Sequence, residues 1–477
     1  MVTDDKVHRA RVRRAMTALT ILGGGPAGLG LAFYAHRADV SFVLFERSEE
    51  LGGMCRTLRH GEHLYDCGAH RFHDRDPEIT RDLVELMGEE LLTVDAPSRI
   101  CDRGRFINFP PTPLNVLLSC RPGEAGRIGL ELMRVRWRPR SCASFKDFAV
   151  SQFGETLSRR LLLNYSEKLW GLPADELSPE IATRRLQGMT LRSLLLELIV
   201  PGREATHIDG QFLYPRRGYG QIIDRLKHDL PAEALRTGYE VARLECRGGA
   251  ITHIHFASGR AVATPGRVVS TLPLTLLVKF LGDQMPDEVR RIATRLRFRQ
   301  IRLIFLRLRR PRVSAYASVY IPDPALCVSR LYEPKNRSAA MAPADETSLV
   351  VEVPCFADDA IHRTASEMLA ERVIGELAQL KLLDRRDVID WKHHLLANAY
   401  PVYTRNYARE VRVVRDALAR IANLDVIGRA GLFFYSHLHD QLRFGKDYVE
   451  AFSRSDRRSE DEPGATAYPI AAADGGS

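Results

Sequence analysis

The feature that most restricts the fold is Gly23-Gly24-Gly25-Pro26-Ala27-Gly28, a G-x-G-x-x-G set between an apolar run (Ala18, Leu19, Ile21, Leu22) and a helix-like segment, Leu29 to Arg37. In a strand–turn–helix unit each glycine has a task. Gly23 permits the tight turn, Gly25 lets the backbone approach a pyrophosphate, and Gly28 lets the helix pack closely on the strand. The helix N-terminus then offers unpaired N–H groups and a positive dipole end to phosphate. A second strand-like run, Val40 to Phe45, ends in Glu46, 18 residues past Gly28. A carboxylate there accepts hydrogen bonds from ribose hydroxyls and repels a 2′-phosphate, which counts against NADP. The pattern is that of an α/β sheet built to hold a dinucleotide.

The rest of the chain is laid out around this unit. At 477 residues there is room for roughly two or three folding units. Residues 17–76 read as the first part of the dinucleotide domain and 77–229 as a mainly helical cap. Short β-branched runs return in 230–285, the second part, and in 286–400, a β-sheet-rich substrate domain; 401–452 would complete the dinucleotide domain. Leu303 to Leu306 is continuously apolar, so a strand there would be buried on both faces. Residues 1–16 and 453–477 are polar and read as disordered.

Composition excludes several classes. The eight cysteines show no C-x-x-C pair or metal-ligand spacing, which predicts reduced thiols, a cytoplasmic setting and no metal. The net charge of +9 suits a phosphorylated substrate, a nucleic acid or an anionic membrane surface. The arginine runs Arg134–Arg140 and Arg295–Arg312 carry few aromatics and no nucleic-acid motif, so solvated basic faces are expected. Arg11–Arg14 before an apolar stretch imitates a signal peptide, but the glycines and proline that follow sit where a phosphate turn needs them. No run approaches the ~20 apolar residues of a transmembrane helix.

Leu51-Gly52-Gly53-Met54-Cys55-Arg56-Thr57 resembles the second glycine motif of the glutathione-reductase-like flavoproteins, the group that includes amine oxidases and protoporphyrinogen oxidase. The resemblance implies FAD as the cofactor. It also implies a Rossmann-like FAD-binding domain of glutathione-reductase type, with an inserted helical domain and an antiparallel β-sheet substrate domain.

Further motifs resemble UDP-galactopyranose mutase and its close relatives. They are Gly68-Ala69-His70-Arg71-Phe72-His73, Phe106-Ile107-Asn108-Phe109-Pro110, Asn164-Tyr165-Ser166-Glu167-Lys168-Leu169-Trp170-Gly171, Leu213 to Gly220, Ala399-Tyr400-Pro401 and Gly428 to Tyr435. This resemblance implies a cofactor site of Gly23, Gly25, Gly28, Glu46, Gly52, Gly53, Arg56, Thr57, Val241, Arg429 and Gly431. It places His70 and His73 over the flavin ring. Arg184 and Arg330 would clamp a diphosphate, and Tyr165, Trp170, Tyr400 and Tyr435 would line the sugar and nucleotide pocket. Two guanidiniums suit that task, since planar forks bind phosphate oxygens bidentately. The implied substrate is a nucleotide diphosphate sugar or similar glycosyl diphosphate, isomerised between ring sizes through a flavin N5–sugar adduct. A homo-oligomer is compatible with this reading.

Two departures stand out. His437 occupies a position where the mutases carry an aspartate, and the segment between Arg184 and Gln211 differs from theirs. Two alternatives therefore stay open. One is an FAD oxidoreductase of the amine oxidase or protoporphyrinogen oxidase kind; the other is a flavin-binding protein with a non-catalytic or membrane-surface role.

Overall fold

In the computed structural model, which describes residues 19–135, 143–181 and 211–461, the strand Leu19–Leu22 lies at the centre of a five-stranded parallel sheet. Phe42–Phe45 and Arg267–Ser270 flank it, and Leu235–Arg236 and Leu424–Val426 form the edges. Successive side chains of a strand face opposite sides, and here both sides are covered. Leu19, Ile21, Leu44 and Val269 pack with the helix Pro26–Arg37, whereas Leu22, Phe45 and Val268 pack with the antiparallel meander Val241–Arg247, Ala250–Phe256 and Ala261–Ala263. Strands from three distant parts of the chain thus complete one sheet, as expected of a dinucleotide domain interrupted by insertions.

A second, seven-stranded sheet runs in the order Val388–Pro401, Phe298–Leu308, Thr347–Cys355, Arg330–Tyr332, Ser318–Tyr320, Ser98–Asp102 and Arg105–Phe109. It is antiparallel except where Ser318–Tyr320 runs parallel to Ser98–Asp102. Leu303 to Leu306 is buried on both faces. Leu303 and Phe305 meet Tyr65, Tyr332 and Val350 on one side; Ile304 and Leu306 meet Leu369, Val373 and Leu377 on the other.

Some elements depart from the expectations. The stretch 77–229, read as mainly helical, also carries Leu91–Val94, Ser98–Asp102, Arg105–Phe109 and Phe212–Pro215 as strands. The run Phe145 to Trp170 is divided at Gly154, whose φ of 76° ends the first helix, and a π-turn over Arg159–Leu163 leads into Asn164–Trp170. The tail read as disordered from residue 453 is helical as far as Asp461, continuing the helix from Leu438. Arg184 and most of the expected helix Ile181–Leu198 lie outside the described residues. Among the described residues no helix is long and apolar enough to cross a membrane, and no cluster of metal-ligating side chains occurs.

Candidate active site

A cavity of about 720 Å³ opens at the carboxyl ends of the parallel strands and extends to the seven-stranded sheet. Its floor is the glycine turn. Gly23 has φ of 101°, and a methyl group on Gly28 would come within 1.9 Å of the Gly23 carbonyl oxygen, so helix and turn touch directly there. A methyl group on Gly25 would meet nothing within 4 Å among the described residues. Gly25 lines the cavity and caps the helix with no side-chain hydrogen bond, which leaves that helix end available to an anion. The second glycine loop rests on the first: Gly52 N–H donates to Gly24 O at 2.7 Å, and a methyl on Gly53 would lie 3.2 Å from Gly25 Cα. Glu46 lines the cavity while accepting from the backbone N–H of Gly24 (2.7 Å) and Ser48 (2.9 Å), which fixes its carboxylate at the strand tip.

Arg56 and Val241 also line the cavity. Thr57, Gly28, Gly52 and Gly431 do not, and shape its walls from behind. Thr57 Oγ1 accepts from Gly220 N–H (2.8 Å) and donates to Asp66 (2.6 Å). Asp66, fully buried, also accepts from Tyr214 OH (2.5 Å) and Tyr219 N–H (2.9 Å), so one carboxylate joins the second glycine loop to the Gly218–Gly220 turn.

At the far end stand His70, Arg330, Tyr400, Arg429 and Tyr435. His70 donates from Nε2 to Met54 O at 2.8 Å and stacks on Tyr219, ring centroids 4.9 Å apart. Burial, aided by the nearby cations Arg330 and Arg429, pushes its pKa down to about 4, so the ring is neutral and Nδ1 is left as an acceptor. His73 also faces the cavity, its ring 6.1 Å from that of Phe212. The Arg429 guanidinium lies 5.1 Å from the Tyr400 ring and 4.8 Å from the Tyr435 ring and donates to Ala399 O and Ser436 O. Its buried Nε has no partner among the described residues. Tyr400 and Tyr435 stack on each other at 5.9 Å.

Arg330 is not a lone cation. It makes a bidentate pair with Glu352 at 2.7–3.0 Å, and its Nη2 lies 3.4 Å from Tyr400 OH. The two residues are directly opposite in the antiparallel pairing of Arg330–Tyr332 with Thr347–Cys355. Burial is the largest single influence and opposes the charge on Arg330, but Glu352 together with Tyr400, Tyr165 and Tyr320 raises its pKa overall, so the guanidinium stays protonated. His437 sits in the cavity wall between Tyr435 and a stacked His439, and burial next to Arg75 lowers its pKa to about 3. Cys55 and Cys67 reach the cavity too, with thiols pushed up to about 12 by burial, so neither offers a thiolate.

Trp170 is a correction. It was expected to line the pocket, yet only 1% of it is exposed, and it backs Tyr400, Tyr403 and Tyr435 at 5.9–6.2 Å from within the core. The large ring packs fully against these tyrosines, while its buried Nε1–H has no hydrogen-bond partner among the described residues. Tyr165 does reach the cavity, edge-on to Tyr320. Glu352, Tyr320 and Asp66 join the site without having been expected there from the sequence. For Glu352 a signal existed: one carboxylate inside an otherwise apolar strand, Val350-Val351-Glu352-Val353.

The residues present fit a dinucleotide with an aromatic ring system. They provide a glycine floor open at Gly25, an uncapped helix end, a ribose-level carboxylate and an orphaned Arg429 Nε beyond. Comparison with known proteins agrees. The sequence profile of the flavin-containing amine oxidoreductases matches residues 26–434. Coproporphyrinogen III oxidase of Mycobacterium leprae is 32% identical over 156 residues, 30% of this chain and 35% of that protein, so the match spans about a third of the relative's length. Among solved structures, reduced UDP-galactopyranose mutase superposes with a TM-score of 0.80 at 20% identity, covering 92% of this chain and 94% of that one. A triple mutant of putrescine oxidase gives 0.66 at 15% identity, covering 93% and 99%. At such identities these two likenesses show the fold.

Proposed function

The chain belongs to the flavin-containing amine oxidoreductase family and is an FAD-dependent enzyme, and from that premise we propose that it is an oxidoreductase that takes electrons from a small, largely apolar molecule held between the flavin site and the seven-stranded sheet. The observation that carries this reading is the closed Arg330–Glu352 pair. A diphosphate clamp made by Arg330 would need that cation uncompensated, and Glu352 already engages two of its nitrogens. Around the pair the wall is apolar and aromatic, with Ile100, Phe109, Leu161, Leu162, Tyr165 and Tyr320.

FAD, when bound, supplies the two-electron acceptor. The chain's own groups position and protect. Arg429, held by two carbonyls and two aromatic faces, fixes a positive charge at the end of the cavity. His70 stays neutral and can accept a hydrogen bond or proton at Nδ1. Tyr400 OH, an acceptor from Arg330, keeps its own proton to donate; burial and Glu352 raise its pKa, so it does not ionise near neutrality.

A second reading retains a glycosyl diphosphate as substrate. Supporting it is the support that Trp170 gives the stacked Tyr400–Tyr435 pair beside Arg330, with Arg184 as the expected second half of a clamp. One experiment separates the two. The purified yellow protein is mixed anaerobically with porphyrinogens and amines, following flavin bleaching, and separately reduced and incubated with nucleotide sugars before borohydride trapping and mass spectrometry. Bleaching by a reduced apolar substrate with no trapped adduct is expected. A sugar–flavin adduct without bleaching would reverse the assignment.

A further inference from the structure

The helices Pro113–Ser119 and Glu124–Val135 carry the largest concentration of exposed apolar side chains among the described residues. Leu114, Leu117 and Leu118 are 60%, 55% and 71% exposed, and Leu130 and Met133 are 52% and 59% exposed. Their spacing is helical: 114, 117 and 118 share one face of the first helix, 130 and 133 one face of the second. The opposite face of the first helix is buried through Val116 and Ser119. A water-facing surface has no use for five large apolar groups on two helices consecutive in the chain, and such groups mark contact with an apolar partner.

Charge selects the partner. The exposed cations of this pair are Arg121, Arg127 and Arg134. Its only carboxylates, Glu124 and Glu131, are both tied up: Glu131 accepts from Thr156 N–H (2.7 Å) and Oγ1 (2.8 Å), and Glu124 pairs with Arg160 and Arg103. The buried Arg160 also donates to Ser119 O and Oγ (3.0 Å each) and to Asp102 (2.6 Å), so one guanidinium fixes the end of the first helix to the start of the second. Among the described residues the outward face is therefore apolar and cationic without counter-charges, the combination that binds an anionic lipid surface.

Position adds a reason for it. Val116 packs on Ile100, Ile107 and Leu161, with Phe109, Leu162 and Tyr320 against the same cluster, and five of these six (all but Ile107) line the apolar end of the cavity. The exposed helix face and that cavity wall are two sides of one apolar cluster. We propose that residues 113–135 seat the enzyme on an anionic bilayer surface, with the apolar end of the active-site cavity next to the lipid, so that an apolar or lipid-tailed substrate reaches the cavity from the membrane. The entry route rests on the first reading of the chemistry, an apolar substrate; the seating on the bilayer is tested apart from it.

The test is co-sedimentation of the full-length, FAD-loaded protein with vesicles of phosphatidylcholine alone or mixed with phosphatidylglycerol. Binding to the mixed vesicles, weakened by salt, is expected. Both Leu117→Ser/Leu118→Ser and Arg127→Glu/Arg134→Glu should lower it by about tenfold or more while FAD content and melting temperature stay as in the parent. Absence of sedimentation, equal binding to neutral vesicles, or undiminished binding by both variants would overturn the proposal. So would a change of oligomeric state or melting temperature in the leucine variant without vesicle binding, which would mean that a second copy or the chain itself covers the face.

Discussion

Arg330 and Glu352 show how much of the site depends on pairs of residues rather than single ones. Each is held in the second sheet with little access to water (side chains 16% and 3% exposed), so the pair's stability depends on both members. Glu352→Gln leaves a buried guanidinium without its counter-charge and should cost about 3–5 kcal/mol in urea unfolding, whereas Arg330→Met/Glu352→Leu should recover most of that loss. Equal destabilisation by the single and double variants would contradict this account. The two recessed histidines make a second residue-level prediction. His70 and His437 have folded pKa values of about 4 and 3, below the ordinary 6.5 of an unfolded histidine. The unfolded chain thus binds more protons below pH 6.5, and the contribution of the neutral rings, complete above that value, is lost as pH falls towards 4. For His70 the loss is at most ~3 kcal/mol at pH 4, reduced by whatever solvent in the cavity screens. Melting temperature should fall between pH 6.5 and 4, and His70→Gln/His437→Gln should flatten that slope; an unaltered slope would show that other groups carry it.

At the scale of elements, the glycine turn separates two kinds of requirement. Gly28 has no room for a methyl group, so Gly28→Ala should push helix from strand and lower stability together with FAD content. Gly25→Ala meets no atom among the described residues, so the protein should fold as well as the parent yet lose flavin, read as the ratio of absorbance at the flavin and protein bands. Normal flavin content in Gly25→Ala would mean that the pyrophosphate lies elsewhere. This turn was legible in the sequence because its information is local: three glycines, a proline and a carboxylate at the tip of the next strand. The strands Ser98–Asp102 and Arg105–Phe109 were not, since they are short and take their place from pairing with Ser318–Tyr320, far along the chain. The Arg330–Glu352 pair was hidden for the same reason, being a matter of register between strands. Trp170 belonged to a legible motif, but a motif does not say whether a ring faces a cavity or supports those that do.

For the whole molecule, the cavity draws its walls from every layer. Gly23, Glu46 and Thr271 come from the parallel sheet, Val241 from the meander, Arg330 and Tyr400 from the second sheet, and Arg429 from the closing segment. A cofactor filling it therefore touches elements that otherwise meet through few polar ties, of which the buried Asp66, linking Thr57, Tyr214 and Tyr219 and hydrogen-bonded through its backbone to Tyr332 OH, is the densest. Binding to the folded state alone stabilises it by RT ln(1 + [FAD]/Kd), about 2.7 kcal/mol at a hundredfold excess over Kd. Deflavinated protein should consequently melt at lower temperature, and the midpoint should climb steadily with added FAD in differential scanning calorimetry. Without the cofactor the two sheets keep only their direct contacts, chiefly the apolar cluster of Leu22, Phe45 and Val268 against which Phe298 and Tyr400 pack, so the single transition of the holoprotein should broaden or split. Asp66→Asn keeps the shape but leaves an amide where three donors require a carboxylate, and it should make the split appear at FAD concentrations that suffice for the parent. A midpoint indifferent to FAD, with one sharp transition in both forms, would mean that the sheets are joined by the chain itself and that the flavin is a passenger in a site already complete.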